Sequence, residues 1–420
     1  MEFHPELTVL VGSNGSGKSA ILDAISLALG AYIRGFSGIP YSRFAGSDVR
    51  LVGKREGKWL EQWPVRVSAQ ADILGHLLAW TRSLQAEGSR TTDAEAGSIM
   101  QYAAALQEHL RLNAEITLPL VAYYGEGRQW MRERDGVLVQ KGSIKNRQSG
   151  YLDCLNPTGN EKMLLNWFEN MTYSKMQKQQ ASGAGTEGFQ EALAVPALCA
   201  VKSAMGMCYQ SAFPEAVQVS FDFNVVNREL EITTTYPDQR CEQMPMRLLS
   251  DGMKNILMMV ADIAYRMAVL NPQFGAAVLE NTPGIVLIDE VELHLHPAWQ
   301  KTILADLRRV FPLVQWIVTT RSPCVLASVE TKSIRLLKDG QIYRLPFSTY
   351  GKSSDAILEN IMMTRIRPEE VQERIDGFYN ALRERDFPLA GETLVWLRRR
   401  LGEQDADVIH AASALELIDE

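Results

Sequence analysis

Eight consecutive residues near the start of the chain, Gly12-Ser13-Asn14-Gly15-Ser16-Gly17-Lys18-Ser19, match the spacing G-x-x-x-x-G-K-[ST]. Glycines at 12, 15 and 17 let a backbone turn tightly and bring its N–H groups close to a polyanion. Lys18 would neutralise β- and γ-phosphate oxygens, and Ser19 would ligate Mg²⁺. Such a loop needs an acid for the metal and a base for water. Asp289-Glu290 follows the apolar run Ile285-Val286-Leu287-Ile288. Alone, an Asp-Glu after a strand reads as a solvated loop start. Beside a phosphate loop, Asp289 becomes the candidate that holds Mg²⁺ through water, and Glu290 the candidate general base. Ser250 and Gly252 open a long apolar helix whose free N–H groups would suit a γ-phosphate. The set therefore describes ATP and Mg²⁺ chemistry.

Positioning these residues requires particular elements. Leu7–Val11 is β-branched and apolar, a buried strand feeding the loop. Ala20–Leu29 has helical periodicity, and Gly30 is expected to stop it. An acid at the C-terminal end of a parallel strand sits where open α/β sheets bind ligands. Trp316-Ile317-Val318-Thr319-Thr320-Arg321-Ser322-Pro323 is another strand running into a polar turn. Roughly 230 residues separate Lys18 from Ser250, far more than a transporter ATPase needs. No sustained heptad fills that gap. It carries helical patches at 71–85 and 98–112, split by a flexible 86–96, and a helical pair at 161–177 and 195–210 around a flexible 181–185. Residues 217–235 alternate like strand material, and 335–346 read as strands. Helices follow Pro368 and span 389–401, the latter ending in Arg398-Arg399-Arg400, which reads as a solvated face.

Composition narrows the functional classes. The formal net charge is -7, so no global positive field draws the chain to nucleic acid or anionic lipid. Any DNA contact must come from a local basic patch or a partner. The five cysteines, Cys154, Cys199, Cys208, Cys241 and Cys324, show no ligand spacing, which argues against a disulfide framework. No apolar run reaches the length of a membrane span, and no signal peptide is visible, so a soluble cytoplasmic protein is expected.

Taken together these motifs resemble the AAA-type ABC ATPases allied to RecF, SMC, the double-strand-break repair ATPases and the overcoming-lysogenisation-defect nucleases. Ile288-Asp289-Glu290-Val291-Glu292-Leu293-His294-Leu295-His296-Pro297 is similar to that group's Asp-Glu-x-Glu-x-x-Leu-His-Pro. Tyr123-Tyr124-Gly125-Glu126-Gly127-Arg128, Gly150–Leu155 and Ser354–Glu359 resemble the branch that includes the PtuA subunit of Septu and retron anti-phage systems. The resemblance implies an α/β fold: an ABC-ATPase (P-loop) core sheet at 1–67 and 215–350, a mainly helical lobe at 68–214 with a core strand near 118–124, and a C-terminal helical docking region at 351–420. It implies a composite site in a homodimer, with Gly12–Ser19, Asp289 and Glu290 of one copy facing Ser250 and Gly252 of the other. His294 would lie at the dimer seam. A His294/His296 metal pair is conceivable, with no third ligand in the sequence.

This sequence departs from the family in two places. The family opens with a β-hairpin ahead of the first strand, whereas this sequence begins Met1-Glu2-Phe3-His4-Pro5, which leaves the adenine contacts unassigned. Arg321 stands where the switch histidine is usual. An arginine can hold a phosphate but cannot exchange a proton at neutral pH, so slow hydrolysis is expected. No nuclease constellation is visible. The resemblance then implies an ATP-binding subunit of an anti-phage defence complex that controls a partner HNH endonuclease. A higher oligomer and a retron reverse transcriptase with its msDNA are further partners it allows. The alternative is a RecF- or SMC-like DNA-binding ATPase of repair.

Overall fold

The strand Leu7–Gly12 sits in the middle of a six-stranded sheet. In spatial order the strands are Gln341–Tyr343, Ile334–Lys338, Leu7–Gly12, Val314–Thr319, Gly284–Ile288 and Leu120–Tyr124. All pairs are parallel except the edge pair of Ile334–Lys338 with Gln341–Tyr343. Leu7–Gly12, Val314–Thr319 and Leu120–Tyr124 are buried along nearly their whole length, which is why they read as apolar runs and not as alternation. The computed structural model describes residues 1–55, 58–112, 115–128, 146–158, 161–180, 189–364 and 367–419. They form two compact units, Met1–Gly351 and Lys352–Glu420. The expected flexible segment 181–185 lies outside the described residues. No described helix is long and apolar enough to cross a membrane.

The helix after the phosphate loop spans Lys18–Arg34 and does not stop at Gly30. The glycine is there for a different reason. A Cβ at 30 would lie 2.5 Å from Arg82 Nη1 and 2.9 Å from the Ser42 carbonyl oxygen. Arg82 is fully buried and donates to the carbonyls of Leu27 and, at 3.0 Å, Ser42, while its Nε pairs with Asp93 at 2.6 Å. Trp80 Nε1 donates to the Ala28 carbonyl at 2.9 Å.

Arg82 and Trp80 belong to a hairpin, Val65–Ile73 with His76–Leu84, so the helix expected at 71–85 is sheet. Its two-residue turn, Leu74-Gly75, has positive φ at both positions, and Asp72 accepts from the Gly75 amide at 2.8 Å. The alternation that marks the first strand begins at Val65, ahead of the segment read as helical. The pairing Val65↔Leu84 also spans the boundary expected between 67 and 68. The stretch 86–96 is anchored, because Asp93 pairs with both Arg34 and Arg82 and Thr92 bridges Ser83. A second hairpin, Arg50–Arg55 with Lys58–Gln62, precedes it.

Helices Glu161–Gln180 and Phe189–Ala212 follow, then a three-stranded antiparallel sheet of Gln218–Asn224, Glu229–Thr235 and Cys241–Pro245. That sheet leads through a short 3₁₀ turn to Ser250 and the helix Asp251–Leu270, buried along nearly its whole length. Within it, Asp262 accepts from Tyr124 Oη at 2.7 Å and from Arg266 Nε at 2.8 Å. Arg266 also donates to the carbonyls of Gly150 and Leu152 at 2.9 and 2.8 Å. This buried network ties the helix to the sheet edge. Asn271, just past its end, pairs with both backbone groups of Leu118 at 2.8 Å.

In the unit Lys352–Glu420, helices Glu369–Arg383, Phe387–Leu401 and Ala406–Asp419 share a core of Val371, Ile375, Phe378, Leu394, Leu397 and Val408, among others.

Candidate nucleotide site

The loop leaves its strand at Gly12, where a Cβ would meet the Leu337 carbonyl at 2.4 Å and Ser16 Oγ at 2.7 Å. Only glycine lets the turn close against the neighbouring strand. Gly15 and Gly17 face open space but hold φ of +77° and +96°, a region that disfavours side chains. The helix beginning at Lys18 has no side-chain cap, so its first N–H groups are left for an external anion. Ser13, Asn14 and Ser19 are exposed around this mouth. Ser16 Oγ is buried with no hydrogen-bond partner. An orphaned hydroxyl beside an uncapped helix start fits a phosphate oxygen.

Lys18 is folded back on the loop, its Nζ donating to the carbonyls of Gly12 and Ser13 at 2.8 and 3.0 Å. Burial first, then the nearby Arg321 guanidinium, pull its ammonium below the ordinary lysine value, while Glu290, Asp289 and Glu292 oppose that shift. The fold therefore gathers Lys18, Asp289, Glu290 and Arg321 at the C-terminal end of the parallel sheet.

Thr319 links the two strands there. Its hydroxyl donates to Asp289 Oδ1 at 2.5 Å and accepts from the Glu290 amide at 2.8 Å. Glu290 has φ of +46°, unusual for glutamate. Its carboxylate pairs with Arg321 Nη2, which also lies 4.0 Å from Glu126. Burial and then the Glu126 carboxylate raise the Glu290 pKa, against the pull of Arg321. Glu292 holds the turn that carries Arg321, accepting from Thr320 Oγ1 at 2.7 Å and from the Arg321 amide at 2.5 Å. On the loop's helix, Asp23 accepts from Tyr123 Oη at 2.9 Å, and its pKa is raised, chiefly by burial.

Ser250 and Gly252 make different contacts. Ser250 Oγ caps its own helix by accepting from the Met253 amide at 3.4 Å. Gly252 lies against the backbone of His294, whose carbonyl oxygen would be 2.1 Å from an added Cβ. His294 itself has φ of +61°. His296 caps the next helix, Nδ1 accepting from the Ala298 amide at 3.2 Å. No group of three or more potential metal-ligating side chains occurs among the described residues.

Thr319, Glu292 and Arg128 were not singled out as site residues from sequence. Glu292 and Arg128 lie inside phrases that carried the resemblance, but a carboxylate or guanidinium two residues from a motif has no role until its partners are known. Arg128 donates to the carbonyls of Gly125, Asp289 and Glu290.

Two AAA-domain families match this chain. One covers residues 1–183, and the other, described as a putative AbiEii toxin of a type IV toxin–antitoxin system, covers 215–327. The retron Ec83 probable ATPase of Escherichia coli is 27% identical over 404 residues, 86% of this chain and 72% of that one. The retron Vc95 probable ATPase of Vibrio cholerae is 24% identical over 87% of this chain and 76% of its own length. The Septu protein PtuA of Bacillus thuringiensis is 28% identical over 32% of this chain and 37% of its own.

Proposed function

Starting from a chain built of AAA-family ATPase domains and homologous to the retron ATPases and Septu PtuA, we propose that it binds ATP with Mg²⁺ at Gly12–Ser19, hydrolyses it slowly, and serves as the nucleotide-responsive subunit of an anti-phage defence complex. One observation carries this reading: Lys18, Asp289, Glu290 and Arg321 converge beside a phosphate cradle, with Arg321 paired to the candidate base.

Ser19 and Asp289 would hold Mg²⁺, which when bound supplies charge neutralisation for the triphosphate. Lys18 leaves the Gly12 and Ser13 carbonyls to meet β- and γ-phosphate oxygens. The Ser16 hydroxyl and the N–H groups of the helix start complete the cradle. Glu290 takes a proton from the attacking water while the bond from the γ-phosphorus to its bridging oxygen breaks, giving ADP and phosphate. For this, Arg321 must release the Glu290 carboxylate, and a γ-phosphate is the anion that would attract it. Turnover is slow because Arg321 occupies the base in the resting state.

Ser250 and Gly252 serve a second copy, so the heads act as a homodimer or as part of a higher oligomer. The partner controlled by the dimer is an HNH endonuclease docked on residues 351–420, with a retron reverse transcriptase and its msDNA in the same complex.

Steady-state ATP hydrolysis by the full chain tests this reading. Slow wild-type turnover, a loss of about 10²-fold or more in Glu290→Gln, and a gain in Arg321→His are expected. Brisk turnover accelerated by DNA would favour the RecF- or SMC-like repair ATPase instead.

A further inference from the structure

Arg128 is 1% exposed, yet among the described residues its guanidinium meets no carboxylate at hydrogen-bonding distance. Among the described residues, its hydrogen-bond acceptors are three backbone carbonyls. Nη1 donates to Gly125 at 2.9 Å and to Asp289, and Nη2 donates to Glu290 at 2.6 Å. Burying a cation costs free energy unless it is compensated. The carboxylates of Asp289, Glu292, Glu290 and Glu126 stand near enough to act on it. A buried positive charge thus lies among these acids, its planar head spanning two consecutive carbonyls.

Those two carbonyls flank the strained residue. Glu290 holds φ of +46°, a conformation that costs roughly 1–3 kcal/mol and persists only where surroundings enforce it. On its amide side the Thr319 hydroxyl fixes the peptide at 2.8 Å. On its carbonyl side Arg128 fixes the next peptide, and the same guanidinium holds the preceding carbonyl of Asp289. The backbone on both sides of the Glu290 Cα is therefore anchored.

We propose that Arg128 is a positioning residue of the ATPase centre, holding the Asp289–Glu290 backbone in the conformation that aims Glu290 at the attacking water. This rests on the reading that the site hydrolyses ATP. None of the hydrogen bonds of Arg128 among the described residues reaches Gly12–Ser19, and the Asp289 carboxylate is held separately by Thr319, so Arg128 acts chiefly on turnover. An ordinary structural arginine would lower stability and affect every step together.

The test compares wild type, Arg128→Lys, Arg128→Gln and Glu290→Gln in the full chain. It measures kcat, KM and direct binding of a fluorescent non-hydrolysable ATP analogue, with thermal unfolding recorded alongside. Lysine keeps the charge but offers one compact ammonium where two carbonyls need a planar head. Arg128→Lys is expected to lose about 10–100-fold in kcat, since small misplacements of a catalytic group cost up to about 10²-fold. Analogue affinity should stay within about threefold, and Arg128→Gln should lose more kcat than Arg128→Lys. If Arg128→Gln does not fold, Arg128→Lys decides alone. Wild-type kcat in Arg128→Lys, or a parallel loss of kcat and affinity, overturns the proposal. Turnover that survives Glu290→Gln would instead remove Glu290 as the base, and a wild type that turns over no ATP would remove the ATPase reading itself.

Discussion

At the scale of single residues, the site is governed by competition for the Glu290 carboxylate. A general base works deprotonated, so kcat/KM rises with pH through its pKa. Burial and Glu126 push that pKa up, while Arg321 pulls it down. The acid limb should therefore lie above the ordinary glutamate range. Glu126→Gln removes a like charge and should move the limb to lower pH. Arg321→Ala removes the opposing cation and should move it to higher pH. Both are read from pH profiles of kcat/KM, and a limb that stays put or moves against its stated direction in either variant would show that another group sets it. Lys18 is a second case of a side chain held in a resting pose, its ammonium pointed at its own loop carbonyls.

At the scale of elements, two joints hold the site's supports in place. Gly30 lets Arg82 reach the helix Lys18–Arg34. An alanine there gains about 1 kcal/mol of helix propensity. It also collides with a buried guanidinium fixed by Leu27 and Asp93 and with a backbone carbonyl, an overpacking cost of about 1–3 kcal/mol. The clash should prevail, and Gly30→Ala should melt below wild type. Asp262→Ala leaves the Arg266 guanidinium, 2% exposed, without its carboxylate. That should cost about 3–5 kcal/mol, measured by urea unfolding.

The same joints explain what was legible in the sequence. The phosphate loop, the strand before Asp289 and the helix capped by Ser250 are local patterns, so spacing alone placed them. The hairpin at 65–84 was misread because Leu77, Leu78, Trp80 and Leu84 allow a helical reading. The decisive signals were the alternation starting at Val65 and the turn at Gly75. Gly30 looked like a helix stop because its partner, Arg82, is 52 positions away. Arg128 and Thr319 act through backbone groups 161 and 29 residues distant, and no local pattern announces such contacts.

At the scale of the whole molecule, the unit Lys352–Glu420 has its own core and should unfold as its own transition. Truncating its fully buried Phe378 should cost about 3–5 kcal/mol there. In calorimetry, Phe378→Ala is expected to shift one transition and spare the other, whereas a single shared transition that moves as a whole would count against it.

The unit Met1–Gly351 has a different character, set by the neighbours of its first strand. Leu7–Gly12 pairs on one side with Val314–Thr319 and on the other with Ile334–Lys338. During synthesis this apolar segment emerges long before Val314–Thr319 and Ile334–Lys338 and waits for both partners. At about 5–20 residues per second, that wait is roughly 15–60 s. Until then the phosphate loop has no sheet to stand on. Such distant pairing slows folding and leaves a bare strand open to mispairing. A nascent or prematurely terminated chain ending before Ile334 lacks one whole flank of the strand that presents Lys18. Assembly of the sheet beneath the Gly12–Ser19 loop thus waits on Ile334–Lys338, the partner made last.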